Sequence, residues 1–91
     1  MRWAWDPDKA ATNAAKHGVA FDLAPRFDWE SALEVEDDRY DYGERRWRAI
    51  GPIDGRLHVL VYSIRDDLIR VISLRKANER EARLHARFRS T

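Results

Sequence analysis

The stretch RRWRAIGPIDGRLHVLVYSIRDDLIRVISLR, residues 45–75, decides the fold. Its middle, RLHVLVYSI (56–64), is the most apolar run in the chain and reads as a central strand. GPIDG (51–55) before it and RDD (65–67) after it gather the residues of tight turns. RRWRAIG (45–51) and LIRVISLR (68–75) are then strands too, and three strands joined by two hairpins make an antiparallel meander. Strict alternation along 68–75 would put Ile69, Val71, Ser73 and Arg75 on one face and Arg70 on the other.

On the N-terminal side, RWAW (2–5) predicts a short first strand. Asp6 can cap a helix, Pro7 fits its first position and Asp8 complements its dipole. The alanine-rich segment 7–17 is that helix, with Gly18 as its stop. A second helix is expected over 20–28, with Phe21, Leu23, Ala24 and Phe27 inward and Pro25 an awkward interior guest. SALEVED (31–37) alternates as a half-exposed strand, and DDRYDYGE (37–44) is turn-like. Asn78 and Glu81 form a capping box opening a last helix to about residue 89. Ala82, Leu84, Ala86 and Phe88 give that helix no full apolar stripe, so it is expected to dock lightly or to need a partner. The whole is α+β, a single domain over 1–91. Its antiparallel sheet of about four to five strands carries two N-terminal helices and a C-terminal helix, packed on one face.

Length and composition narrow the function. Ninety-one residues make one small domain, and there is no cysteine to supply a disulfide or a thiolate metal site. The longest apolar run, VLVY (59–62), cannot span a bilayer, and MRWAWDPDKAA has charges where the apolar core of a leader should be. A cytoplasmic protein with no membrane contact is therefore expected. The net charge of +1 hides an asymmetry. Residues 22–41 carry eight acidic groups against two arginines, whereas residues 42–91 carry eleven arginines and one lysine against six acidic groups. Arginine grips phosphate with two parallel hydrogen bonds, so the basic half suits a nucleic-acid or phosphate binder; a solvated, salt-bridged surface is the other reading.

No GxxxxGK[ST], GxGxxG, GxSxG or HExxH is present, which removes the sequence support for nucleotide hydrolysis, dinucleotide binding, serine acyl transfer and a zinc site. The run EVEDDRYD holds consecutive charges rather than converging ones and reads as a solvated edge. What remains is basic and histidine chemistry. Cutting RNA without a metal needs a base for the 2′-hydroxyl proton, cations for the crowded phosphorane and an acid for the 5′-oxygen. Imidazole titrates near neutrality and serves as either acid or base. Of the three histidines, His17 ends a helix beside Lys16 and Gly18, a place that also suits a histidine bonding only the last carbonyls. His58 reads as filling a strand face and His85 as solvated. Arg75 and Lys76 finish an apolar strand, and Glu44, Arg45 and Arg46 open another.

WDPDKAATNAAKHGVAF (5–21), ERRWRAIG (44–51), VLVY (59–62) and IRVISLRKANEREAR (69–83) together resemble the BrnT family of toxins from type II toxin–antitoxin pairs. The resemblance runs in order over almost the whole chain. It implies a compact RelE-like fold and a ribonuclease that halts growth by cutting RNA. It also implies a BrnA-like antitoxin with a ribbon-helix-helix domain, and operator DNA bound only through that hetero-oligomer. Of the matching positions, Trp5, Asp6, Pro7, Gly18, Val19 and Phe21 suit architecture. The catalytic expectation is His17 with Lys16, Arg45, Arg75 and Lys76. The RNA-binding expectation is Glu44, Arg46, Tyr62, Arg70 and Ser73, and neither a metal nor a cofactor is expected. The alternative is a non-catalytic basic module that docks an antitoxin or nucleic acid.

Overall fold

The two hairpins form where the turn residues call for them. In the computed structural model, which describes residues 2–90, strands β3 (Trp47–Ile53), β4 (Arg56–Arg65) and β5 (Leu68–Lys76) pair antiparallel in succession. Asp54 and Gly55 both take positive φ, 50° and 82°, which is the backbone of a tight two-residue hairpin. β3 starts later and runs further than expected, because Gly51 and Pro52 belong to the strand. β2 (Leu33–Glu36) pairs with β3 only as far as Ile50, so Pro52 breaks no ladder bond with β2.

The N-terminal strand β1 (Arg2–Ala4) completes a five-stranded sheet in the order β1-β5-β4-β3-β2. The sheet is mixed rather than antiparallel, since β1 runs parallel to β5, Arg2 opposite Leu68. Three residues carry no direction of their own. The crossover through α1 (Pro7–His17), the rest of the N-terminal half and the meander sets the direction instead. The expected helix over 20–28 is a 3-10 helix, Phe21–Arg26. Pro25 has no N–H and its ring crowds the preceding turn, so an α-helix cannot run through it. Phe27 then leaves the helix and bridges to Ile53.

α1 and the 3-10 helix cover one sheet face. The core there is built from Val19, Phe21, Ala24 and Phe27 against Ala49, Leu60, Tyr62, Ile69, Val71 and Leu74. Trp3, Trp5, Trp29 and Trp47 are half-buried around it. The last helix, α2 (Glu79–Arg89), lies on the opposite face, so the helices are not confined to one side. None of its residues is buried, and Leu84 and Phe88 stay 40% and 41% exposed. Among the described residues no helix is long and apolar enough to cross a membrane. Met1 and Thr91, the outermost residues of the expected domain, lie outside the described residues.

Candidate functional site

A β-bulge in β5 settles which side chains share a face. Val61 of β4 pairs with Ser73, yet the next residue, Tyr62, pairs with Val71, so Ile72 is the extra residue. Strict alternation therefore fails. Ile69, Val71 and Leu74 all turn into the core, while Arg70, Ser73 and Arg75 share the opposite face. The pairings Arg48–Val61 and Val61–Ser73 add Arg48 of β3 to that face.

α1 brings its C-terminus to the edge of β5. Asp6 accepts from the Asp8 amide at 2.8 Å to start the helix, and Gly18, at φ 69°, donates to the Ala14 carbonyl at 2.8 Å to end it. β1 pairs only with Leu68–Arg70, which leaves the later outer edge of β5 without a strand. Asn13 takes that place. Its amide donates to the Leu74 carbonyl at 2.7 Å and to the Val19 carbonyl at 3.1 Å, and its oxygen accepts from the Leu74 N–H at 3.2 Å. One turn further on, Lys16 and His17 line a hollow of about 330 Å3 with Ile72 and Ser73. Asp8, Lys9 and Thr12 complete its lining. His17 is half-buried, and its side chain makes no hydrogen bond or ion pair among the described residues.

Arg45, expected beside His17, stands elsewhere. With Glu44, Ser63, Arg65 and Arg70 it lines a second hollow of about 620 Å3 near the β4–β5 turn. Its guanidinium grips Glu36 through two bonds, 3.0 and 3.1 Å, and lies 5.1 Å from the centre of the Trp47 ring. Those bonds, more than the bare charge, hold the Glu36 carboxyl below its ordinary value. Arg70 reaches Glu44 at 3.4 Å. Arg46 lies 4.0 Å over the Tyr42 ring, and its Nε is buried without a partner.

Tyr62 corrects an expectation. It is 1% exposed in the core and donates to Glu34 at 2.6 Å, so it offers no surface for RNA. Burial, aided by Glu34, pushes its phenol well above the usual range. Lys76 is exposed; its partner across the sheet, His58, is buried and bonded to the Arg56 carbonyl through Nδ1 at 2.7 Å. His85 is not solvated, because its Nε2 donates to the Ser31 carbonyl at 2.6 Å and ties α2 to the segment before β2.

Arg75 is clamped to α2. Two bonds of 2.8 and 2.7 Å join it to Glu81, whose Oε1 also accepts from the Asn78 amide at 2.9 Å. The Arg75 bonds above all hold the Glu81 carboxyl below the usual carboxylate range, with a smaller contribution from the charge of Arg48. Asp37, expected on a solvated edge, is 4% exposed. It accepts from Arg39 at 2.8 and 3.0 Å and from Tyr42 at 3.4 Å. Its carboxyl is lowered chiefly by those Arg39 bonds, and Arg48 again adds to the effect. The sequence assigned no part in a site to Asn13, Asp37 or Arg48, and to Glu81 only that of a helix cap. For Arg48 a signal existed, since it shares its strand phase with the buried Ile50.

The arrangement thus offers an imidazole beside a lysine at one edge of β5 and a line of arginines across the adjoining face. Among the described residues no three His, Cys, Asp or Glu side chains converge on a point. A comparison with curated proteins finds no match. The family model for the ribonuclease toxin BrnT of type II toxin–antitoxin systems matches residues 5–81, from the end of β1 to the first turn of α2. The chain belongs to the BrnT family of ribonuclease toxins.

Proposed function

We propose that the chain is a metal-independent endoribonuclease on a RelE-like frame, which halts growth in the cytoplasm and is neutralised by a BrnA-like ribbon-helix-helix antitoxin. The observation that carries this reading is the hollow where Lys16, His17 and Ser73 meet. His17 carries one of the two proton transfers that 2′-hydroxyl attack requires, and none of the described residues occupies its ring nitrogens. Lys16, Arg75 and Lys76 supply positive charge to the developing phosphorane. Arg45, Arg46, Arg70 and Glu44 lie further along the sheet, where they grip and position flanking RNA. The antitoxin complex is a hetero-oligomer, and operator DNA is bound through the antitoxin.

The test is incubation with a single-stranded RNA and its 2′-deoxy counterpart in EDTA. Cleavage of the RNA alone is expected, falling about 10²–10⁴-fold in His17→Ala purified the same way. Equal rates for mutant and parent remove His17 from the chemistry, and a strict need for added metal removes the metal-free mechanism. Arg75→Ala is a poorer control, since it strips Glu81 of its clamp as well as removing a charge.

One observation favours the alternative of a non-catalytic module. Arg45, Arg70 and Arg75 all sit in ion pairs, which spends part of their charge inside the fold. Salt-sensitive RNA binding without any product would select that reading.

A further inference from the structure

On the α2 face, three guanidinium groups share two carboxylates. Asp37 is taken by Arg39 and Glu81 by Arg75, each through two short hydrogen bonds. Arg48 lies within the field of both carboxylates, yet its side chain makes no hydrogen bond or close ion pair among the described residues. Its cross-strand neighbours are Val35 and Val61, so the sheet supplies no anion beside it. It is half-buried at the wall of a hollow of about 270 Å3, opposite Asn78 and Glu81 at the start of α2, with Arg80 on the rim.

A half-buried arginine facing an open hollow with no partner is costly for the protein alone, because desolvation is only partly offset. Its fork fits two oxygens of one phosphate. With Arg80 and the Glu81-clamped Arg75, the hollow keeps a net positive charge. Ser73 and Arg70 continue the same face toward the β4–β5 turn.

We propose that Arg48 is the seat for a backbone phosphate of single-stranded RNA, bound between β3 and the first turn of α2. This rests on the ribonuclease reading for the identity of the ligand. An RNA strand crossing this face would place one phosphate on Arg48 and its neighbours near Ser73 at the edge of β5. Arg48 is a binding group in this scheme, and Arg39 and Arg75 are held where they reinforce it.

The test measures binding of a short 2′-O-methylated single-stranded RNA, which has no free 2′-hydroxyl to attack, by fluorescence anisotropy over a salt series. Arg48→Ala, Arg48→Lys and Arg87→Ala are compared with the parent, and thermal melts confirm that each is folded. Arg48→Ala is expected to bind several-fold more weakly at low salt and to shallow the salt dependence by about 0.7, the value for one lost phosphate contact on a single strand. Arg48→Lys keeps the charge and the slope but loses part of the affinity, and Arg87→Ala, on the exposed side of α2, matches the parent. An unchanged slope in folded Arg48→Ala overturns the proposal, as does failure of the parent to bind the probe. If Arg48→Ala instead weakens only antitoxin binding, the hollow belongs to a protein partner and the RNA seat is refuted. The two readings separate cleanly. An Arg48-dependent slope without cleavage of ordinary RNA keeps the seat and removes the nuclease, whereas cleavage with an unchanged slope does the reverse.

Discussion

Asn13 does for β5 what a neighbouring strand would otherwise do. A primary amide carries the same donor and acceptor as a peptide unit, so one side chain can satisfy both the N–H and the carbonyl of Leu74. The residue is 7% exposed, and removing it strands two buried backbone groups and frees the Val19 carbonyl. Asn13→Ala is therefore expected to cost about 2–4 kcal/mol, read as a lower urea midpoint at unchanged slope. A midpoint equal to the parent's would mean that water replaces the amide without loss. The same contact fixes where α1 ends, and so where Lys16 and His17 stand.

At the scale of elements, β3 holds a close packing approach and β5 a departure from regular strand geometry. The approach in β3 is at Gly51, whose position lies against the aromatic layer. A Cβ there would come 2.8 Å from Phe27 Cζ and 3.0 Å from Ala32 Cβ, closer than packed carbons tolerate. Phe27 is 5% exposed and wedged edge-on to Trp29 at 4.9 Å, so it cannot simply move aside. Gly51→Ala should destabilise by about 1–3 kcal/mol, the usual cost of overpacking, as measured by denaturant unfolding. A neutral result would show that the Phe27 ring yields. In β5 the bulge at Ile72 moves Leu74 into the core and turns Ser73 and Arg75 to the face that bears Arg48 and α2. α2 buries none of its own residues, although Ile50 and Val59 on the face it covers are 5% and 0% exposed. Its polar hold is the Arg75–Glu81 clamp to the sheet and the His85–Ser31 bond to the segment before β2.

Over the whole molecule, the acidic and basic halves of the chain meet rather than separate. Glu34 and Glu36 of β2 reach Tyr62 and Arg45, and Asp37 holds Arg39 beside the arginine-lined face. Asp37, which is buried, and Glu81 on α2, which is half-buried, are lowered by their arginine bonds, which gives stability a definite pH dependence. In the unfolded chain these groups take up protons at ordinary carboxylate values, about pH 4. In the folded protein they resist protonation until lower pH. Their contribution is therefore fully present above about pH 4 and is lost as the pH falls through their folded values. Urea midpoints measured from neutral pH down to about pH 3 should fall steeply below about pH 4, and Glu81→Gln should flatten part of that fall. A midpoint independent of pH over this range would show that the clamps add nothing to stability.

The sequence by itself determined the meander, the first helix with its caps, the capping box of α2 and the family. Each rests on neighbours within a few residues: turn dipeptides, an Asp-Pro start, a glycine stop, an Asn and Glu three apart. His17 and Lys16 were legible for the same reason, as the end of a helix whose limits were written locally. The direction of β1, the 3-10 form of Phe21–Arg26, the face covered by α2 and the burial of Tyr62 depended on packing between distant segments. The arginine face depended on it most. A single extra residue at Ile72 reverses the parity of β5, and only the pairing with β4 reveals it. Whether an arginine is clamped or open to a ligand is likewise decided by which carboxylate the fold brings within reach. Glu81 takes Arg75, Asp37 takes Arg39, and Arg48 is left facing the hollow.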